Sequence, residues 1–119
     1  IQQALEWVYS GDILTAEQAL NGKLVRSVHA PDELLPAAYE LARKFSQNKS
    51  PVAVAFARQM MYRNAAQPHP MEAHRIDSLA MFYTSLEDGK EGVQSFLEKR
   101  DPRYTSCASK MPSFYPWWK

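Results

Sequence analysis

Cysteine is nearly missing from this chain: Cys107 is the only one in 119 residues, which excludes an intrachain disulfide and points to a reducing, cytoplasmic setting. Glycine is scarce too, four residues against eight prolines, and β-branched runs are few, so helices with abrupt stops are expected rather than sheet. No apolar run approaches the ~18 residues of a membrane span and no signal peptide is visible, so no membrane partner is expected. An excess of one charge is also lacking. A net charge of +1 gives no reason to expect nucleic acid as a partner.

Several chemical signatures are absent as well. The chain has no Gly-x-Ser-x-Gly turn, no glycine-rich phosphate loop and no dinucleotide fingerprint. His69 and His74 are five apart across a proline-containing loop, whereas a helical metal pair wants a spacing of about three or four. No metal site is expected there, and His29 beside Pro31 is equally unremarkable. Cys107 has Lys110 near it but no histidine, in a tail poorly suited to preorganising a nucleophile. The acidic pairs Asp32/Glu33 and Glu87/Asp88 fall where helix starts favour negative charge, which explains them without catalysis.

What is present is ordinary for a soluble globular protein, 45% hydrophobic and 23% charged residues, enough for one domain or less. The chain opens inside an amphipathic pattern of Ile1, Ala4, Leu5 and Val8, as the end of a helix begun upstream, and so reads as part of a longer chain. Ser10-Gly11-Asp12 is a turn, and Thr15 with Gln18 forms a capping box for a short helix that Asn21-Gly22 ends. Residues 24–28 alternate as a short strand would. Asp32 starts a helix with a stripe of Leu34, Leu35, Ala38, Leu41, Ala42 and Phe45, with Pro36 placed in its first turn.

Ser50 caps the next helix with Pro51 at its first position, and Val52, Ala55, Phe56, Gln59 and Met60 face inward. A long helix from about residue 71 to 86 is apolar on more than one stripe, as contacts on two sides would require. The closing helix has Asp88 as its cap and Glu91 completing a capping box. Val93, Phe96, Leu97 and Arg100 share a face, Lys99 and Arg100 oppose the negative helix end, and Pro102 stops it. From Thr105 the periodicity is lost, and the tail aromatics Phe114, Tyr115, Trp117 and Trp118 are expected to dock on this chain or on a neighbour.

Glu-Gly-Val-Gln-Ser-Phe-Leu-Glu-Lys-Arg followed by Pro-Arg-Tyr, within residues 91–104, resembles the closing helix of the enoyl-CoA hydratase/isomerase (crotonase) family. Upstream, Ala-Glu-Gln-Ala at 16–19, Leu-Val at 24–25 and the Ser50-Pro51 junction before Val-Ala-Val match the family in order. One departure is Lys23 directly before Leu-Val, where the family usually has glycine; here Gly22 comes one residue earlier. The resemblance implies a mainly α fold: the C-terminal helical segment of a crotonase fold, with about five to six helices and one short strand, lacking the N-terminal ββα spiral. Residues 1–104 would form that oligomerisation segment and residues 105–119 a docking tail.

The resemblance also implies an acyl-CoA enzyme, by default a hydratase converting 2-enoyl-CoA to 3-hydroxyacyl-CoA in fatty acid metabolism. Isomerases, decarboxylases, dehalogenases and thioester hydrolases share the family. Its oxyanion-hole N–H groups and catalytic glutamates lie upstream of the segment matching Ile1, so no residue here inherits a catalytic role. A binding role falls on Phe96 and Lys99, beside the CoA nucleotide of an adjacent subunit, and on Phe82 near the acyl or pantetheine end. No separate cofactor is implied, since CoA is part of the thioester substrate. The implied partner is a second copy of the chain, in a trimer or a dimer of trimers. The segment alone would serve assembly and complete the CoA site without turning substrate over. The alternative is a standalone helical interaction module with no catalytic parent.

Overall fold

The computed structural model describes residues 1–112, which form six helices: α1 (Gln2–Ser10), α2 (Ala16–Asn21), α3 (Pro31–Ser46), α4 (Pro51–Asn64), α5 (Pro70–Leu86) and α6 (Asp88–Glu98). Docking of Phe114, Tyr115, Trp117 and Trp118 lies outside the described residues. The chain divides into two compact units, Ile1–Ala42 and Arg43–Lys119.

In the first unit the helix ends follow local chemistry. Gly11 takes a left-handed conformation at φ 67° and returns its N–H to the Trp7 carbonyl, closing α1. Thr15 Oγ1 accepts the Gln18 N–H while Gln18 Oε1 accepts the Thr15 N–H, the reciprocal capping box that starts α2. At the far end of α2, Lys23 N–H reaches the Leu20 carbonyl and Leu24 N–H reaches the Ala19 carbonyl. That is a Schellman pair, and its left-handed residue is Lys23 at φ 59°. Lys23 therefore occupies the left-handed position that glycine most often fills at such a helix end. Gly22, at φ −77°, is needed for a different reason: a Cβ there would lie 2.2 Å from the Trp7 ring.

Two expectations for this region are corrected. Residues 24–28 do not form a strand; no strand occurs among the described residues, and an extended segment with no partner has nothing to satisfy its N–H and C=O groups. Pro36 lies inside α3 rather than in its first turn, because the helix begins at Pro31; the hydrogen bond to the Asp32 carbonyl is thereby lost. The stripe on α3 does not become a core: Leu34, Leu35 and Phe45 are all exposed.

The second unit holds the core. Val52 and Phe56 on α4, each 2% exposed, meet Ala80 on α5, with Met60, Ile76, Tyr83 and Met111 packed around them. Phe56 and Tyr83 stack edge to face with centroids 6.0 Å apart. Ser50 caps α4 by accepting the Ala53 N–H at 3.1 Å, with Pro51 following, as the sequence predicts. His69 Nδ1 accepts the Met71 N–H at 3.1 Å and so caps α5. The single residue between α5 and α6 is Glu87. Such a tight corner needs Gly89, whose absent Cβ would stand 3.0 Å from the Thr84 carbonyl oxygen. No helix among the described residues is long and apolar enough to cross a membrane.

Candidate functional site

The candidate site is α6, which is held at both ends by polar contacts while its apolar residues stay uncovered. At its start, Asp88 is 4% exposed and accepts hydrogen bonds from the hydroxyls of Ser50 and Ser106. Asp88 is thus not the helix cap. The N-cap is Glu87, without a side-chain cap bond, because the Asp88 carboxylate is committed to residues distant in sequence. The expected capping box with Glu91 is absent for the same reason: the Glu91 carboxylate faces the other end of the helix.

There it forms a fork with Arg100. Arg100 Nη1 donates to Glu91 Oε1 at 2.5 Å and Nη2 to Glu91 Oε2 at 3.0 Å. Glu91 Oε1 also accepts the Arg103 backbone N–H at 2.6 Å, and Arg100 Nε donates to Glu98 Oε2 at 2.6 Å. The Arg100 hydrogen bonds, followed by that of Arg103, hold the Glu91 carboxyl at about 2. Glu98 is lowered as well, by Gln94 first and Arg100 second, and the guanidinium of Arg100 is raised by Glu91 and then Glu98. Asn48 Nδ2 donates to Asp101 Oδ1 at 2.9 Å, tying down the segment that follows.

α6 ends at Glu98, so Lys99 and Arg100 are not in its last turn as expected. The end is a second Schellman pair: Lys99 N–H reaches the Phe96 carbonyl and Arg100 N–H the Ser95 carbonyl. Lys99 is left-handed at φ 53°, a conformation that costs a non-glycine residue about 1–2 kcal/mol. The spacing argument that put Lys99 on the Phe96 face assumed a continuing helix, and the backbone reverses before Lys99 instead. The contact between the two is a backbone one, the Schellman bond from Lys99 N–H to the Phe96 carbonyl.

Of the residues expected to bind, Phe96 is 82% exposed and Phe82, on α5, is 65% exposed; Lys99 is exposed too. Val93 and Leu97 are exposed beside Phe96, and Phe82 makes no ring contact with another described residue. Sequence reasoning missed Asp88 and Glu91 as anchors. Their partners are 38 and 18 residues away for Asp88 and nine away for Glu91, spacings that carry no helical signal. His74 lies 3.2 Å from Asp77 on α5, and among the described residues no His, Cys, Asp and Glu cluster could hold a metal. The Cys107 thiol is lowered chiefly by the hydroxyl of Ser109, 3.0 Å from its Sγ.

The chain is 40% identical over 105 residues to the enoyl-CoA hydratase AFT3-1 of Alternaria alternata, covering 86% of the chain and 34% of that relative. It is 36% identical over 108 residues to a "Probable enoyl-CoA hydratase" of Bacillus subtilis (strain 168), covering 86% of the chain and 40% of the relative. It is 35% identical over 102 residues to the carnitinyl-CoA dehydratase of Salmonella agona (strain SL483), covering 82% and 38%. The chain thus spans between 34% and 40% of the length of these relatives. No solved structure matches it significantly. The family profile described as enoyl-CoA hydratase/isomerase matches residues 1–107, and the chain belongs to that family.

Proposed function

We propose that the chain is the C-terminal helical portion of an acyl-CoA-processing enzyme, in the first instance a hydratase acting on a 2-enoyl-CoA, and that the end of α6 completes its CoA site. The observation that carries the reading is Phe96, 82% exposed on a helix that Asp88 and Glu91 anchor at its two ends. An uncovered aromatic on a fixed helix supports a role in contact rather than in folding. Its ring would cover the adenine, and the ammonium of Lys99 would meet a phosphate as a point charge. Phe82 would line the path towards the pantetheine or acyl end.

Hydration of an enoyl thioester needs donors for the developing enolate oxygen and carboxyl groups that move the water and α-protons. The chain is proposed to leave these to the rest of the enzyme, and therefore to bind without turnover. Val93 and Leu97 would be covered by a second copy in a homo-oligomer, a trimer or a dimer of trimers, in the cytoplasm. Membership of the enzyme family gives no support to a standalone interaction module.

Amide spectra of the chain recorded with increasing coenzyme A test the reading. Shifts centred on residues 96–100 are expected. Shifts spread evenly along the chain, or none, would contradict it, as would hydratase turnover by the 119-residue chain beyond any contaminant.

A further inference from the structure

We infer that Glu91 is a positioning residue for Lys99: its carboxylate fastens the chain beyond α6 so that Lys99 stays in the left-handed conformation in which it meets its ligand. The inference rests on the reading that Lys99 contacts a phosphate of coenzyme A.

Lys99 stands at φ 53°, and a lysine released from constraint would leave that region for the right-handed or extended one. On its N-terminal side it is fixed by α6. On its C-terminal side the Schellman bond from Arg100 N–H to the Ser95 carbonyl is reinforced by one carboxylate that makes three contacts. Glu91 takes both terminal nitrogens of Arg100 and the Arg103 N–H, at 2.5, 3.0 and 2.6 Å. Glu91 is itself part of α6, so one rigid element holds both flanks of the strained residue. Glu98 adds a third grip on Arg100 at 2.6 Å, and Asn48 holds Asp101. Among the described residues no carboxylate pairs with the Lys99 ammonium, which leaves it available to an anion. Strain held in place beside an unpaired cation is what preorganisation of a binding group requires.

The test is the dissociation constant for coenzyme A of four forms of the chain: unaltered, Glu91→Gln, Lys99→Ala and the double variant. Lys99→Ala is expected to weaken binding about tenfold through loss of a charged contact. Glu91→Gln is expected to weaken it about threefold, as the competent conformation falls to about one-third of the population. In the Lys99→Ala background Glu91→Gln should cost nothing more. Unaltered affinity in Glu91→Gln, or the same loss in both backgrounds, would overturn the inference, since a merely structural role adds independently of Lys99. Arg100→Lys, which keeps the charge but not the fork, guards against a Glu91 variant that fails to fold, and the same dependence on Lys99 is expected of it. Should Lys99→Ala bind as tightly as the unaltered chain, the phosphate contact itself is wrong, a failure separable from that of Glu91.

Discussion

Ser50 and Asp88, 38 residues apart in sequence, are joined through the same hydroxyl that starts α4: Ser50 Oγ accepts the Ala53 N–H and donates to the Asp88 carboxylate. One side chain thus caps one helix and anchors another, while Ser106 brings the C-terminal segment to the same carboxylate.

Ser50→Ala removes the cap and leaves a buried carboxylate one donor short. A loss of about 1–3 kcal/mol is expected, read as a lower urea midpoint. Ser106→Ala, which removes one donor and no cap, should cost less, about 1 kcal/mol. Equal losses would show that the cap contributes nothing.

The Glu91 clamp has a pH signature. Its carboxyl is lowered from an ordinary 4.5 to about 2, so between those values the folded chain binds fewer protons than the unfolded one. Its contribution is therefore complete above about pH 4.5 and is lost as pH falls through about 2. The unfolding midpoint should drop across that window, more steeply in the unaltered chain than in Glu91→Gln. Glu98, lowered in the same direction, accounts for part of what remains in the variant. Parallel curves for the two proteins would show that Glu91 is not clamped.

Lys23 and Lys99 both sit where glycine would be unstrained, at φ 59° and 53°. Lys23→Gly is expected to stabilise the chain by about 0.5–1 kcal/mol, the relief of strain outweighing the added freedom of the unfolded chain. Coenzyme A affinity should not change. Gly22→Ala should do the opposite: a Cβ 2.2 Å from the Trp7 ring forces the indole to move. A loss of about 1 kcal/mol is expected, with a shift of Trp7 emission. A neutral Gly22→Ala would mean that the indole relocates freely.

The features legible in the sequence are those decided within a few residues. The Thr15–Gln18 box, the Ser50-Pro51 start of α4 and the end of α1 at Gly11 all depend on neighbours three or four positions away. The family was legible too, through the run from Glu91 to Tyr104. Where sequence reasoning failed, a distant partner had outbid a local one. Asp88 and Glu91 have the spacing of a capping box, yet Ser50 and Ser106 take the first carboxylate and Arg100 the second. The alternation of residues 24–28 is real but finds no strand to pair with among the described residues. The stripe on α3 shows that periodicity reports which face is apolar, not what covers it.

The most direct test of the account is the coenzyme A dissociation constant of Phe96→Ala beside that of the unaltered chain, with thermal unfolding of both. Because Phe96 is 82% exposed, its removal should leave stability within about 0.5 kcal/mol. Affinity should fall about tenfold, the worth of a ring stacked on a base. Unchanged affinity, or a loss of stability with affinity intact, would mean that Phe96 belongs to packing rather than to the ligand, and would contradict the proposed site.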